Sequence, residues 1–98
     1  MFTVFGFYKF QKINNLKKKQ KILNNLLVNK NIYGSIIVSE EGLNGSISGK
    51  NKDIRTTVIR LKKILSIKKF DSFNDSKSKF KPFHKPKVKI KKETKNIE

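Results

Sequence analysis

The sequence predicts an α+β domain, a four-stranded antiparallel sheet covered on one face by two helices. Three observations predict it: a glycine-marked hairpin in mid-chain, an amphipathic helical stripe on each side of it, and alternating strand patterns at both ends. Their order is strand, helix, strand, strand, helix, strand, which is the ferredoxin-like split β-α-β plan.

Residues 2–10, Phe-Thr-Val-Phe-Gly-Phe-Tyr-Lys-Phe, are aromatic-rich and read as the first strand. Asn14 and Asn15 then offer a helix cap, and Leu16, Gln20, Leu23 and Leu27 recur at helical spacing with Ile13 and Leu26 alongside. Lys17, Lys18, Lys19 and Lys21 fall mostly off that stripe, and Asn29-Lys30-Asn31 closes the helix. The run from Tyr33 to Gly49 reads as two strands about a turn. Its alternation ends at Glu41-Gly42-Leu43-Asn44-Gly45, where Gly42 and the Asn44-Gly45 pair are expected to supply positive φ angles. A second cap, Asn51-Lys52-Asp53, precedes Ile54, Val58, Leu61 and Leu65, the stripe of a helix of about four turns. Residues 71–81 are polar and read as a loop with at most a short extended piece. From Lys87 to Lys91, lysine alternates with Val88 and Ile90, the mark of a half-buried strand, with Pro86 at its start. The expected domain is 1–93, with 94–98 a disordered tail.

At 98 residues the chain is long enough for one modest core. Its net charge of +17 draws it to polyanions, RNA foremost. The basic residues are nearly all lysine, Arg55 and Arg60 excepted, and the chain is crowded with Asn and Ile, as an AT-rich coding sequence gives. A solvated lysine surface without a ligand therefore stands beside a polyanion-binding face as a reading of the charge. With no cysteine, the chain has no disulfide, no thiolate zinc site and no thiol chemistry of its own. The opening Met1-Phe2-Thr3-Val4-Phe5 lacks the pattern of a signal peptide, and no apolar run approaches the ~20 residues that cross a bilayer. A cytoplasmic location is the expectation.

The hairpin lettering Glu41-Gly42-Leu43-Asn44-Gly45 resembles the Glu-Gly-Ile-Asn-Gly hairpin in the amino-terminal domain of the rhodanese-related tRNA uridine hydroxylases. Further stretches agree in order: Tyr8-Lys9-Phe10, then Pro82-Phe83, then Lys87-Val88-Lys89-Ile90-Lys91-Lys92-Glu93, similar to the family's Lys-Val-Lys-Leu-Lys-Lys-Glu. Where the family usually reads Pro-Phe-x-Arg-Met, this chain has Pro82-Phe83-His84-Lys85-Pro86, and Lys85 lacks the two-pronged phosphate contact of Arg. The resemblance implies the ferredoxin-like fold and a domain that holds the tRNA anticodon arm while the wobble uridine is hydroxylated. It implies that the chemistry belongs to a rhodanese domain with a cysteine loop, which this chain does not contain and which would join it in cis or in trans. No catalytic residue, metal or cofactor is expected within the chain itself.

In the four-stranded plan the last strand pairs with the first, so their outward faces form one surface. Lys87, Lys89 and Lys91 are expected outward there, with Lys85 beside them. The first strand is apolar on both faces, and because one set contains Thr3 and Lys9, that set, with Phe5 and Phe7, is assigned outward. On the second strand Tyr33, Ser35 and Ile37 turn out. Phe5, Phe7 and Tyr33 among Lys9, Lys87, Lys89 and Lys91 would make a platform on which RNA bases stack while ammonium groups meet phosphates. The same exposed rings could instead be covered by protein: a rhodanese partner, or a second copy of the chain. His84, the one histidine, has no carboxylate or second ligand near it in sequence, and Glu40 and Glu41, as strand neighbours, point apart. Glu41 is read as a turn residue. An acylphosphatase-like reaction would need an Arg-bearing phosphate loop after the first strand, where this chain has Gln11-Lys12-Ile13-Asn14-Asn15.

Overall fold

Both apolar stripes become helices, and a strand that the composition conceals completes the sheet. The computed structural model describes residues 1–91, in the order β1 (Phe2–Phe10), α1 (Leu16–Asn29), β2 (Tyr33–Ser39), β3 (Gly42–Gly49), α2 (Asn51–Leu65), β4 (Ser72–Ser78) and β5 (Pro86–Ile90). The expected tail, 94–98, and the expected domain end at Glu93 lie outside the described residues.

Leu23, Leu26 and Leu27 of α1 and Ile54, Leu61 and Leu65 of α2 are buried, as their spacing requires. Neither helix start is capped by a side chain: Asn15 is the N-cap of α1 in a left-handed conformation, and Lys50 precedes α2. Asn51 is used otherwise, its side-chain oxygen accepting from the Thr3 hydroxyl at 3.2 Å. Helix α1 packs over β5 and β2, and α2 over β1 and β3. The Gln20 amide reaches across to the Val88 carbonyl at 2.7 Å, fastening α1 to β5.

The sheet has five strands in the order β4-β1-β3-β2-β5, and it is mixed. This corrects the four-stranded antiparallel expectation in two places. First, Ser72–Ser78 is a strand paired antiparallel with β1, although 71–81 reads as a loop. An edge strand exposed on both faces needs no apolar alternation, so its existence is set by the free edge of β1 rather than by its own sequence. Second, β4 occupies that edge, so β5 lies at the opposite edge, parallel to β2 with Val88 beside Ile36. Residues 79–85 must then carry the chain along one end of the sheet. Four strand spacings are about 19 Å, which eight Cα steps, reaching about 26 Å when extended, span comfortably.

The hairpin turns at Glu40-Glu41, not at Asn44-Gly45. Gly42 has φ +148°, and a Cβ there would collide with the Lys9 carbonyl oxygen, so glycine is required. Asn44 and Gly45 lie within β3, where Asn44 is paired with Tyr8 and Ile37, and Gly45 with Phe7 and Ile36. The turn is tied by backbone and hydroxyl groups: the Glu41 amide donates to the Ser39 hydroxyl at 3.2 Å, and the Glu41 carbonyl accepts from the Gln11 amide at 3.0 Å.

Candidate functional site

Strand register fixes which side chains share each face, because neighbours directly across a rung point the same way. On β1 the buried set is Thr3, Phe5 and Phe7, in rungs with Gly49, Ile47 and Gly45 of β3. The other set, Phe2, Val4, Gly6, Tyr8 and Phe10, faces away from the helices. The expectation for β1 is therefore reversed. Phe5 and Phe7 lie beneath the helices, their rings packed on Phe70 at centroid distances of 5.9 and 4.9 Å, so neither ring is on the bare face. Two polar residues suggested an exposed set, but both are satisfied on the covered side. Thr3 bonds Asn51 and Lys77, and Lys9 extends its stem to set its ammonium 3.6 Å from Asp71.

β2 and β5 present their residues as expected: Tyr33, Ser35 and Ile37 face out, as do Lys87, Lys89 and, continuing the alternation, Lys91. These lysines stand at the β5 edge, with β3 and β2 between them and the rings of β1. One rung on the bare face reads Tyr8, Asn44, Ile37, Lys89, and the next Gly6, Ser46, Ser35, Lys87. Between the rings of β1 and the ammonium groups of β5 runs a trough of Asn44, Ser46 and Ser35, with Ile37 as its apolar member. Tyr8 and Phe10 meet edge to face at 5.5 Å and are 43% and 75% exposed. At the hairpin end a groove of about 990 Å³ is lined by Tyr8, Phe10, Asn44 and Lys91 of the bare face and by Leu16 and Leu43 of the covered side.

Tyr33 is half-buried at the opposite end of the face, and the Lys81 ammonium sits 3.6 Å from its ring centroid, so one side of that ring already has a partner. Lys85 is exposed, and its carbonyl accepts from the Gly34 amide at 2.9 Å, which pins the start of β5 to β2. Sequence reasoning missed Tyr8, Phe10 and Asn44 as members of the bare face. For Tyr8 a signal was present, since its phenol hydroxyl favours the wet side of a strand.

The β1–α1 connection, 11–15, contains no arginine, and the amides of Gln11 and Ile13 donate to the carbonyls of Glu41 and Glu40 at 3.0 and 3.2 Å. Donors so used do not cradle a phosphate. Among the described residues no group of three or more His, Cys, Asp or Glu side chains is placed to hold a metal ion. No helix among them is long and apolar enough to cross a membrane. The Asp71 carboxylate accepts from the Phe10 amide at 2.6 Å, and that bond, with the Lys9 charge behind it, holds its pKa below the ordinary 3.8.

The family model described as the UPF0176 acylphosphatase-like domain matches residues 2–94. Relatives named tRNA uridine(34) hydroxylase include one from Pelagibacter ubique, 61% identical over 93 residues that cover 95% of this chain and 31% of the relative. Another, from Ehrlichia ruminantium, is 33% identical, with 94% of this chain and 34% of the relative covered. The chain thus spans about a third of the length of these relatives. Among solved structures, an acylphosphatase from Bacillus subtilis is similar with TM-score 0.63 at 9% identity, covering 90% of this chain and 98% of that one. An acylphosphatase from Coxiella burnetii gives 0.66 at 9% identity, with 90% and 93% covered. At such identity the likeness shows the fold alone.

Proposed function

Because the chain belongs to the UPF0176 acylphosphatase-like domain family, we propose that it is the tRNA-holding module of a tRNA uridine hydroxylase, presenting its bare sheet face to the anticodon arm. The name of its relatives supports this reading, and so does the absence of any cysteine from the chain. Oxidation of the wobble uridine is assigned to the remainder of a longer protein, a rhodanese domain joined in cis or supplied in trans. The observation that carries the reading is the rung Tyr8, Asn44, Ile37, Lys89, which ranges an aromatic ring, an amide and an ammonium group across the bare face.

The residues of this face and of the strand behind it divide the task. Tyr8 and Phe10 stack unpaired bases, a contact worth about 1–3 kcal/mol per base. The Asn44 amide, able to donate and accept, meets a base edge. Lys87, Lys89 and Lys91 neutralise phosphates along the β5 edge. Lys9, Phe5 and Phe7 act from behind the sheet, holding β1 in place.

Titration of a tRNA anticodon stem-loop over a range of salt concentrations tests the proposal. Affinity should fall steeply with salt, and Tyr8→Ala should lower it further without changing the salt slope. Binding that is absent at low salt would overturn it. The exposure of Phe10 and Tyr8 beside Ile37 favours a second reading, that this face docks a rhodanese partner or another copy of the chain. In that case Phe10→Ala abolishes assembly, and RNA binding is absent from the outset.

A further inference from the structure

The connections between elements differ in charge at the two ends of the sheet. Where β1, β2 and β5 begin, the connections 30–32, 50 and 79–85 hold Lys30, Lys50, Lys79, Lys81 and Lys85 and no carboxylate. At the other end, connections 11–15, 40–41 and 66–71 set Lys12, Lys68 and Lys69 against Glu40, Glu41 and Asp71. Register gathers the first group into a rim. Phe2 lies opposite Ser78, Thr3 opposite Gly49, and Gly34 opposite Pro86. Lys79, Lys50 and Lys85 each adjoin a residue of these rungs. Neighbouring strands are about 4.8 Å apart, so the rim runs about 19 Å from Lys79 to Lys85 with Lys50 midway, each step of about 10 Å a little more than a Debye length of roughly 8 Å at physiological salt. The connection that carries three of them is held in place by Lys81 over Tyr33 and by the bond from the Gly34 amide to the Lys85 carbonyl.

We propose that this rim clamps the phosphate backbone of the RNA stem, so that the RNA lies along the strands in one direction only, its loop bases toward Tyr8, Phe10 and Asn44. The inference rests on the tRNA-holding reading above and adds the polarity of the complex. A duplex stem offers dense phosphate charge and keeps its base faces stacked, which suits a cationic rim. Unstacked loop bases need rings and an amide, and Tyr8, Phe10 and Asn44 supply these at the hairpin end. Of the two phenylalanines in the rim connection Phe80, 80% exposed, is the one not half-buried, and in this arrangement it has no base to meet.

The cysteine-free chain allows a direct test with single cysteines, His84→Cys at the rim and Glu40→Cys at the hairpin, each carrying an iron chelate that cleaves RNA nearby. With an end-labelled anticodon stem-loop bound, cleavage from position 84 should fall in the stem and from position 40 in the loop. The triple variant Lys79→Ala, Lys81→Ala, Lys85→Ala should reduce the slope of log affinity against log salt by about 2 to 3, at roughly 0.9 per phosphate contact. Phe80→Ala should leave affinity unchanged. A reversed or indifferent cleavage pattern, an unaltered slope in the triple variant, or a loss in Phe80→Ala matching that of Phe10→Ala would each overturn the polarity while leaving RNA binding intact. If the unaltered chain shows no salt-dependent binding, the tRNA reading and the polarity fall together.

Discussion

A Cβ atom on Gly45 would lie 2.8 Å from the Cζ of Phe7. The two residues share a rung on the covered side of the sheet, and the missing side chain is the seat of the Phe7 ring. The hairpin motif thus works one strand away from the turn: by admitting Phe7 beneath the helices it fixes the face of β1, which places Tyr8 and Phe10 on the bare side. The Ser35 carbonyl oxygen, also 2.8 Å from that Cβ position, blocks the alternative of moving the added group toward β2. Gly45→Ala should therefore destabilise the domain by about 1–3 kcal/mol, the usual cost of overpacking. Urea denaturation measures it, and a change within error would show that Phe7 has room to shift.

Neighbours on β1 should behave oppositely. Phe7 is 5% exposed among Phe5 and Phe70, so Phe7→Ala should cost about 3–5 kcal/mol and leave much of the domain unfolded. Tyr8→Ala should change stability far less and act on RNA affinity. Circular dichroism melts run beside binding titrations separate the two, and equal loss of stability in both variants would contradict the facing of β1.

The helices, the β2–β3 pair and β5 are legible in the sequence because each buries one side and exposes the other. Leu23 and Leu27, Ile36 and Val38, and Val88 between Lys87 and Lys89 all obey that rule. β4 is illegible because Ser72–Ser78 is wet on both faces and takes its conformation from hydrogen bonds to β1. β1 poses the opposite difficulty, with apolar residues on both faces, so local pattern does not decide which set is covered. Thr3 and Lys9 misdirect the choice, since their partners Asn51, Lys77 and Asp71 are 48, 74 and 62 positions away, and only the folded chain assembles them. The edge taken by β5 depends in turn on β4, and with it the separation of the lysines from the rings.

Asp71 should make stability fall at low pH. Its folded pKa lies below the ordinary 3.8, chiefly through the bond from the Phe10 amide and then through Lys9, so the unfolded state takes up the proton first. The stabilisation is complete above the unfolded value and is lost as pH falls through the folded one. Asp71→Asn should flatten the decline in stability from about pH 4 downward while changing its slope little near neutrality. Parallel denaturation curves for the two proteins across pH 2 to pH 5, on the order of that titration window, decide it: identical acid profiles would show that the carboxylate contributes no linkage.

Among the described residues two buried hydroxyls, Ser48 Oγ and Thr57 Oγ1, have no hydrogen-bond partner, and both residues are fully buried. Thr57 lies on the core side of α2 between Ile54 and Leu61. An unpaired buried hydroxyl costs about 1–3 kcal/mol relative to one solvated by water, and an apolar group of the same shape removes that cost. Thr57→Val keeps the branched shape and should raise stability by about 1 kcal/mol, a melting shift of roughly 4–8 °C for a domain of this size. Ser48→Ala should have the same sign with a smaller gain, because alanine packs less well on a strand between Val4 and Tyr33. Destabilisation in Thr57→Val would mean that its hydroxyl has found a donor or acceptor in solution, and a paired polar group would then lie between helix and sheet in place of the apolar contact described.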